Sequence, residues 1–294
     1  MTTLALTPSA PRWWQSRVAR RFFRHRLAIL GLVMITLLTL ACAFGPHLLP
    51  YDSLQIDLRA RFAAPLSGQH YLGTDPLGRD IAARLLMAGR ISLMVGFFAM
   101  LLATILGTLI GVVAGYGGRA VNAVLMRLVD GFLSFPTIFL LLALAVALRP
   151  SPTMITVIIA LTGWMEVARI VEAEVRSLKE REFVLAGRML GLSRSHIMFR
   201  EILPNCMGPI IVAATLTVAR AILLEAYVSF LGFGIQPPLP SWGNMLNGAQ
   251  QYLGSAPWLA IIPGAAITIA VTSFNFIGDG LRDALDVQIG RAHV

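Results

Sequence analysis

Apolar positions in this chain come in long blocks, not in the alternation of a half-buried strand or the narrow stripe of a soluble helix. Six blocks stand out: Leu27–Leu49, Ile91–Gly118, Gly131–Leu148, Pro150–Met165, Met207–Gly232 and Ala256–Gly278. A bilayer core about 30 Å thick takes roughly 20 apolar helical residues. Five blocks reach that length or come close to it; the fourth is short and borrows a turn past Glu166. The fifth carries Arg220 and Glu225 inside it. The pattern predicts an all-α polytopic membrane protein with six transmembrane helices.

The polar stretches between the blocks set the orientation. Arg12, Arg17, Arg20, Arg21, Arg24 and Arg26 precede the first block, and Arg176, Lys179, Arg181, Arg188, Arg194 and Arg200 separate the fourth from the fifth. Such basic segments stay in the cytoplasm. An even number of spans then puts both termini there. Gly232 to Trp258 holds no charged residue, as expected outside, while Arg59, Arg61, Arg79, Arg84 and Arg90 in the first external loop run against the rule. The organisation is a basic cytoplasmic tail (1–26), a first transmembrane helix (27–49), an external loop with an interfacial helix (50–90), a core of five transmembrane helices (91–280) and a cytoplasmic tail (281–294). The first apolar run is too long, and starts too far from Met1, for a cleaved signal peptide, although Ala41-Cys42-Ala43 has the small-residue form of a cleavage site.

Composition narrows the classes further. The 294 residues are 56% hydrophobic and 13% charged, against about 25% charged in an ordinary soluble domain. This argues against a soluble enzyme and excludes a disordered chain. The net charge of +9 is carried almost wholly by arginine, with Lys179 the single lysine, and lies between apolar runs. That placement fits membrane topology, not a phosphate-tracking patch. The two cysteines, Cys42 and Cys206, are too few for a disulfide scaffold.

The chemistry of an active site is missing from the sequence. A nucleotide-binding Walker loop requires a lysine after glycine, and Lys179 sits in Leu178-Lys179-Glu180. There is no HExxH, no CxxC and no paired-histidine spacing. His70, beside Gly73, Thr74 and Asp75, reads as a turn residue. Six helices without catalytic chemistry suggest a conduit.

The loop between the fourth and fifth spans, about 176–206, carries the most information. Phe183, Ala186, Gly187 and Leu190 fall on one helical face, with two small residues at its middle. Gly191 suits a C-cap, and Ser193 or Ser195 suits the start of a second short helix running to about Ile202 and stopping at Leu203-Pro204. Two readings fit: a connector packed on its own bundle, or a helical hairpin that docks another protein. Elsewhere, Gly107, Gly111 and Gly115 let a second helix approach the second span, within this chain in preference to between chains. Arg220 and Glu225 are costly in a span and face the bundle or a water path; Asn275 has the same two readings. The 232–257 loop, with Trp242 and Trp258, reads as an interfacial cap with a short helix around Trp242–Leu253.

Arg181-Glu182-Phe183-Val184-Leu185-Ala186-Gly187-Arg188-Met189-Leu190-Gly191, followed by Ile202-Leu203-Pro204-Asn205, resembles the EAA loop of ABC importer permeases. Narrower still is the likeness to the second-subunit permeases of the dipeptide/oligopeptide/nickel family. His70 to Asp80, Gly115 to Gly118, Met126 to Asp130, Phe135-Pro136, Glu225 to Gly232, Pro237 to Asn244 and Gly278 to Asp286 are similar to that family's motifs in order, over about residues 20–287. The chain departs from the pattern at Leu185-Ala186-Gly187, where the glutamate is missing and the second alanine is glycine, and at Glu201 in place of isoleucine.

The resemblance implies a type I ABC importer permease core in the bacterial inner membrane. Its partners would be a second permease chain, two ATPase subunits and an extracytoplasmic binding protein. ATP and magnesium would reside on the ATPase, and no cofactor on this chain. Phe183, Ala186, Gly187, Leu190, Gly191, Leu203 and Pro204 would couple to the ATPase; Arg220, Glu225 and Asn275 are candidates for the translocation path. Di- or oligopeptides are the first expectation for the solute, with nickel or another small solute as the alternative. A self-sufficient secondary transporter or channel is the rival of another class; it would show inverted repeats, and none is visible.

Overall fold

The structure, a computed structural model, describes residues 17–68, 70–148 and 151–285. Arg12 in the N-terminal tail, Pro150 as the start of a span and residues 286–294 of the C-terminal tail lie outside these residues. Helices α1 (Arg17–Phe22), α2 (Arg26–Leu48), α3 (Ile81–Tyr116), α4 (Arg119–Leu133), α5 (Thr137–Ala147) and α6 (Pro152–Leu178) lead to a hairpin. Then come α7 (Glu182–Met189), α8 (Arg194–His196), α9 (Leu203–Asn205), α10 (Met207–Phe230), α11 (Trp242–Leu246) and α12 (Trp258–Leu285). No sheet forms among the described residues. The fold is all-α and membrane-spanning, as expected.

Five helices, α2, α3, α6, α10 and α12, are each long and apolar enough to cross a bilayer. The expected third span is not one straight helix. Gly131–Leu148 straddles α4 and α5, which meet at an angle of 82°. Pro136 explains the break: it has no N–H to donate and disfavours helical backbone at the residue before it. The pair supplies a sixth crossing only as a broken span. The fourth span is longer than its apolar run, because α6 continues through Glu166, Arg169, Glu172 and Glu174 to Leu178. Helix α3 likewise starts ten residues before its apolar block; at 36 residues and about 1.5 Å per residue it outreaches a bilayer core.

The most extensive helix contact is α3 on α6, and the reason is sequence-local. A Cβ added at Gly107, Gly111 or Gly115 would lie 2.6, 2.7 and 2.8 Å from the carbonyl oxygens of Trp164, Ala168 and Glu172. Glycine every fourth residue therefore lets two backbones touch along three turns, and the contact is internal to the chain. The opposite side of α3 presents Met94, Phe98, Leu101, Ile105 and Leu109, all exposed and suited to lipid.

Helix α12 packs on α2 and α10, and α10 also reaches α3 and α6. Their shared core includes Ile35, Ala88, Val218, Ile222, Trp242 and Ala270. Trp242 is a correction to the sequence reading: it is fully buried, not interfacial. Its ring nitrogen donates to the Leu85 carbonyl at 3.1 Å, and it sits over Gly89, where a Cβ would lie 2.8 Å from the ring. The cap helix is also shorter than expected. It ends at Leu246, and Gly248 turns the chain at φ 75° before a single 3-10 turn, Ala249–Tyr252.

Candidate translocation and coupling site

One end of the bundle carries the 182–206 hairpin. Helix α7 ends in a Schellman arrangement: Leu192 N–H donates to the Gly187 carbonyl and Gly191 N–H to that of Arg188, both at 3.1 Å. Gly191 takes φ +74°, the left-handed value that glycine adopts without strain. Ser193 then caps α8, its hydroxyl accepting from His196 N–H at 3.2 Å. The second helix does not stop at Leu203-Pro204. A wide π-type turn, Ile197–Ile202, loosens the backbone, so that Pro204 falls in the first turn of α9 and helical structure runs on toward α10.

The hairpin is rooted in the bundle by Val184, Ile197, Ile202 and Cys206, all buried against Val112, Val171 and Val175. This divides the expected coupling face. Gly187 points inward, packed near Leu192 and Ile197. Phe183, Ala186, Leu190 and Gly191 are exposed, Leu203 is partly buried and Pro204 is exposed. The outermost apolar side chain is Met189, 91% exposed, followed by Leu190 at 80%. Sequence reasoning passed over Met189. Its signal was an apolar residue between Arg188 and the capping Gly191 where a solvated tip would be polar.

At mid-bundle the structure separates Arg220 from Glu225. Arg220, on α10, pairs with Glu166 on α6; the two are 53% and 46% exposed. Beside them Arg169 of α6 pairs with Asp130 of α4, at 56% and 47% exposure. Glu166 and Arg169 are three residues apart and share one face of α6. Exposed charges on membrane-length helices such as α6 and α10 would be costly against lipid. Asn275, exposed on α12, lies on the same face of its helix as exposed Thr268.

Glu225 is turned the other way and is fully buried. Its carboxylate accepts from Ser92 at 2.8 Å and from Ser229 at 2.7 Å. The same hydroxyls accept from Trp242 N–H at 3.2 Å and Ile235 N–H at 3.0 Å. Glu225 thus ties α3 and α10 to the 231–257 cap. This gives it an internal structural role, unlike the exposed Arg220. Sequence reasoning missed Glu166, Arg169 and Asp130; two charges at i and i+3 inside an apolar helix were the available signal.

Among the described residues no cluster of His, Cys, Asp and Glu has the form of a metal site. His70 accepts the turn role expected of it: its Nδ1 lies 2.9 Å from Asp80. Asp80 in turn caps α3, accepting from Ala83 N–H at 2.8 Å.

Residues 107–291 match the family described as the binding-protein-dependent transport system inner membrane component. The chain belongs to this permease family. Residues 13–65 of the permease also match the N-terminal transmembrane domain of oligopeptide transport permease C. It is 46% identical over 273 residues to a Brucella suis biovar 1 protein described as a peptide permease, covering 92% of this chain and 90% of that protein. It is 43% identical to the dipeptide transport system permease DppC of Alkalihalophilus pseudofirmus, covering 90% and 87%. To the oligopeptide transport system permease OppC of Bacillus subtilis it is 39% identical, covering 92% and 88%. In fold it is similar to a chain of the MetNI methionine ABC transporter in an inward-facing form, with a TM-score of 0.57 and 19% identity, covering 69% of the permease and 96% of that chain.

Proposed function

We propose that this permease forms half of the translocation path of an ATP-driven, binding-protein-dependent importer of di- or oligopeptides in the bacterial inner membrane. The peptide class is supported by its relatives, which are described as peptide, dipeptide and oligopeptide permeases. In this reading the hairpin end faces the cytoplasm, the hairpin seats in a groove of a separate ATPase subunit, and a second permease chain supplies the other half of the path.

The observation that carries the path is the half-exposed ion-paired strip Glu166–Arg220 and Asp130–Arg169. Lipid would penalise these groups; a water-filled seam between two permease chains would not. A peptide carries both an ammonium and a carboxylate, and a wall of alternating sign can exchange its internal pairs for transient contacts with either end. Exposed Met189 and Leu190 supply an apolar knob for the ATPase. ATP closes the ATPase pair and shifts the permeases between inward- and outward-open states by favouring one of them.

The test is uptake of labelled dipeptide into liposomes holding the complete complex with its binding protein. Uptake that requires ATP, the binding protein and this chain supports the reading. A complex that is assembled and hydrolyses ATP yet moves no di- or oligopeptide overturns the solute assignment.

A further inference from the structure

At the other end of the bundle, the segment before α3, the start of α3 and the 244–252 stretch enclose a cavity of about 270 Å³. Asp75, Arg79 and Arg84 line it, with Asn247, Gln251 and Tyr252 on the opposite wall. The charges do not balance. Asp75 is the single carboxylate in the wall. Its Oδ1 already accepts from the backbone N–H groups of Leu77 at 2.8 Å and Arg79 at 3.0 Å. Its Oδ2 accepts from Arg79 Nε at 2.7 Å.

Arg84 comes second to this carboxylate, three of whose roughly four acceptor positions are already filled. Its Nε is 3.6 Å from Asp75 Oδ2, and it donates to the Ser53 carbonyl at 3.3 Å. Both contacts are longer than the roughly 2.7–2.9 Å of a charge-assisted hydrogen bond. Yet the side chain is only 8% exposed, and a guanidinium presents five N–H donors in a planar fork. The neighbouring carboxylates are engaged elsewhere. Asp80 holds His70 and the N-terminus of α3, while Asp52 and Asp57 cap their own turns at Leu54 and Arg59. The 232–257 stretch contributes no acid at all.

We propose that Arg84, supported by Arg79, is a recognition site for one carboxylate, presented by an Asp or Glu side chain of the extracytoplasmic binding protein when it docks. The inference rests on the import reading above. Two observations select this occupant. At about 270 Å³ the cavity lies just below the roughly 300–1,000 Å³ of whole small-molecule sites, a size that suits one inserted side chain. Its rim, Asn247 and Gln251, is exposed on the external loops and lies apart from the mid-bundle charges. A planar guanidinium fork held at a buried position gives such a carboxylate a bidentate seat.

The experiment uses the whole complex in liposomes and the purified binding protein of the same system, loaded with a dipeptide. The half-saturating concentration of binding protein for uptake is measured across a salt series. R84Q is expected to raise it at least about fivefold and to flatten its salt dependence, with R84K between wild type and R84Q. R79Q, which also breaks the Arg79–Asp75 pair, carries the same test if R84Q complexes do not assemble. Assembled R84Q and R79Q complexes that both stay within about twofold of wild type at every salt concentration would overturn the proposal. A second arm loads the binding protein with a C-terminally amidated dipeptide. If amidation shifts the wild-type value and R84Q erases that shift, the carboxylate belongs to the peptide and the binding-protein assignment falls. A wild-type complex with no dependence on the binding protein fails earlier, at the import reading, before any variant is compared.

Discussion

Arg220 of α10 and Glu166 of α6 form an ion pair near the middle of two membrane-length helices, and about half of each side chain is open to the surroundings. A pair buried within the chain would be an internal strut. A pair exposed at this depth is a surface that lipid cannot cover at low cost. Before a second permease chain covers this face, removing one member leaves the other charge uncompensated against lipid, at a cost of up to roughly 2.5–3.5 kcal/mol. R220A is therefore expected to lower uptake at least about tenfold. The double variant E166A/R220A recovers complex assembly relative to either single change, because no lone charge remains. A double-mutant cycle on the amount of assembled complex and on uptake checks this; additive losses would refute it.

Gly111 bears the close approach of α3 to α6. A leucine there would meet the Ala168 carbonyl oxygen, which lies 2.7 Å from the position of its first carbon. Overpacking of this kind costs about 1–3 kcal/mol or more. G111L should lower the thermal midpoint of the detergent-solubilised protein by several degrees. Leucine at Ile105, on the exposed side of the same helix, should leave it unchanged.

Glu225 holds the external cap through Ser92 and Ser229. E225A removes the shared acceptor and leaves buried hydroxyls without it, a loss of about 1–3 kcal/mol. Hydrogen exchange across 231–257 should speed up in E225A. E225Q keeps a side-chain carbonyl acceptor and should stay close to wild type. Equal protection in all three would show that the cap is held without Glu225, by contacts such as the buried Trp242 and the Asn247–Phe230 hydrogen bond.

Met189 and Leu190 form the tip of the hairpin. M189D/L190D should insert normally, since neither side chain packs on the bundle core, and should abolish ATPase co-purification and ATP-driven uptake. G187L acts differently. It wedges α7 away from Leu192 and Ile197 and is expected to destabilise the hairpin itself, read as faster proteolysis between 182 and 206.

Cys206 lies at the hairpin root, fully buried. Burial, and secondarily the charge of Glu174, push its thiol up to about 11. The reactive species is the thiolate, so at pH 7 only about one thiol in 10⁴ is ionised. Maleimide should leave Cys206 unlabelled in the native complex at pH 7 and label it after denaturation, as read by mass spectrometry.

Much of this was legible in the residues because it depends on local physics. An apolar run of bilayer length forms a helix wherever lipid surrounds it, so α2 and α10 were placed to within a few residues, while α12 runs on past its apolar block from Gly278 to Leu285. Glycine at every fourth position marks a close helix contact, and Gly191 after α7 marks its end. The six-span pattern missed only the bend within Gly131–Leu148, because hydropathy measures apolar length and is blind to direction. It takes Pro136, with its missing donor, to turn the chain by 82°.

Direction is also why the candidate site was only half legible. A charge inside an apolar run is visible in the sequence, but the side it faces is not. Arg220 and Glu225 stand five residues apart on one helix, which rotates them far from each other. Only the packing of α3, α6 and α10 decided that Glu225 would meet Ser92 and Ser229 in the interior, while Arg220 would meet Glu166 on the open face. The same holds for Gly187 and Met189, neighbours in sequence that the root at Val184 and Ile197 turned inward and outward. The sequence by itself determined a multi-span α-helical membrane protein and the site of its hairpin, because hydrophobic length and turn chemistry are local. The tertiary structure decided which charges are internal and which are open, because that depends on what each helix packs against.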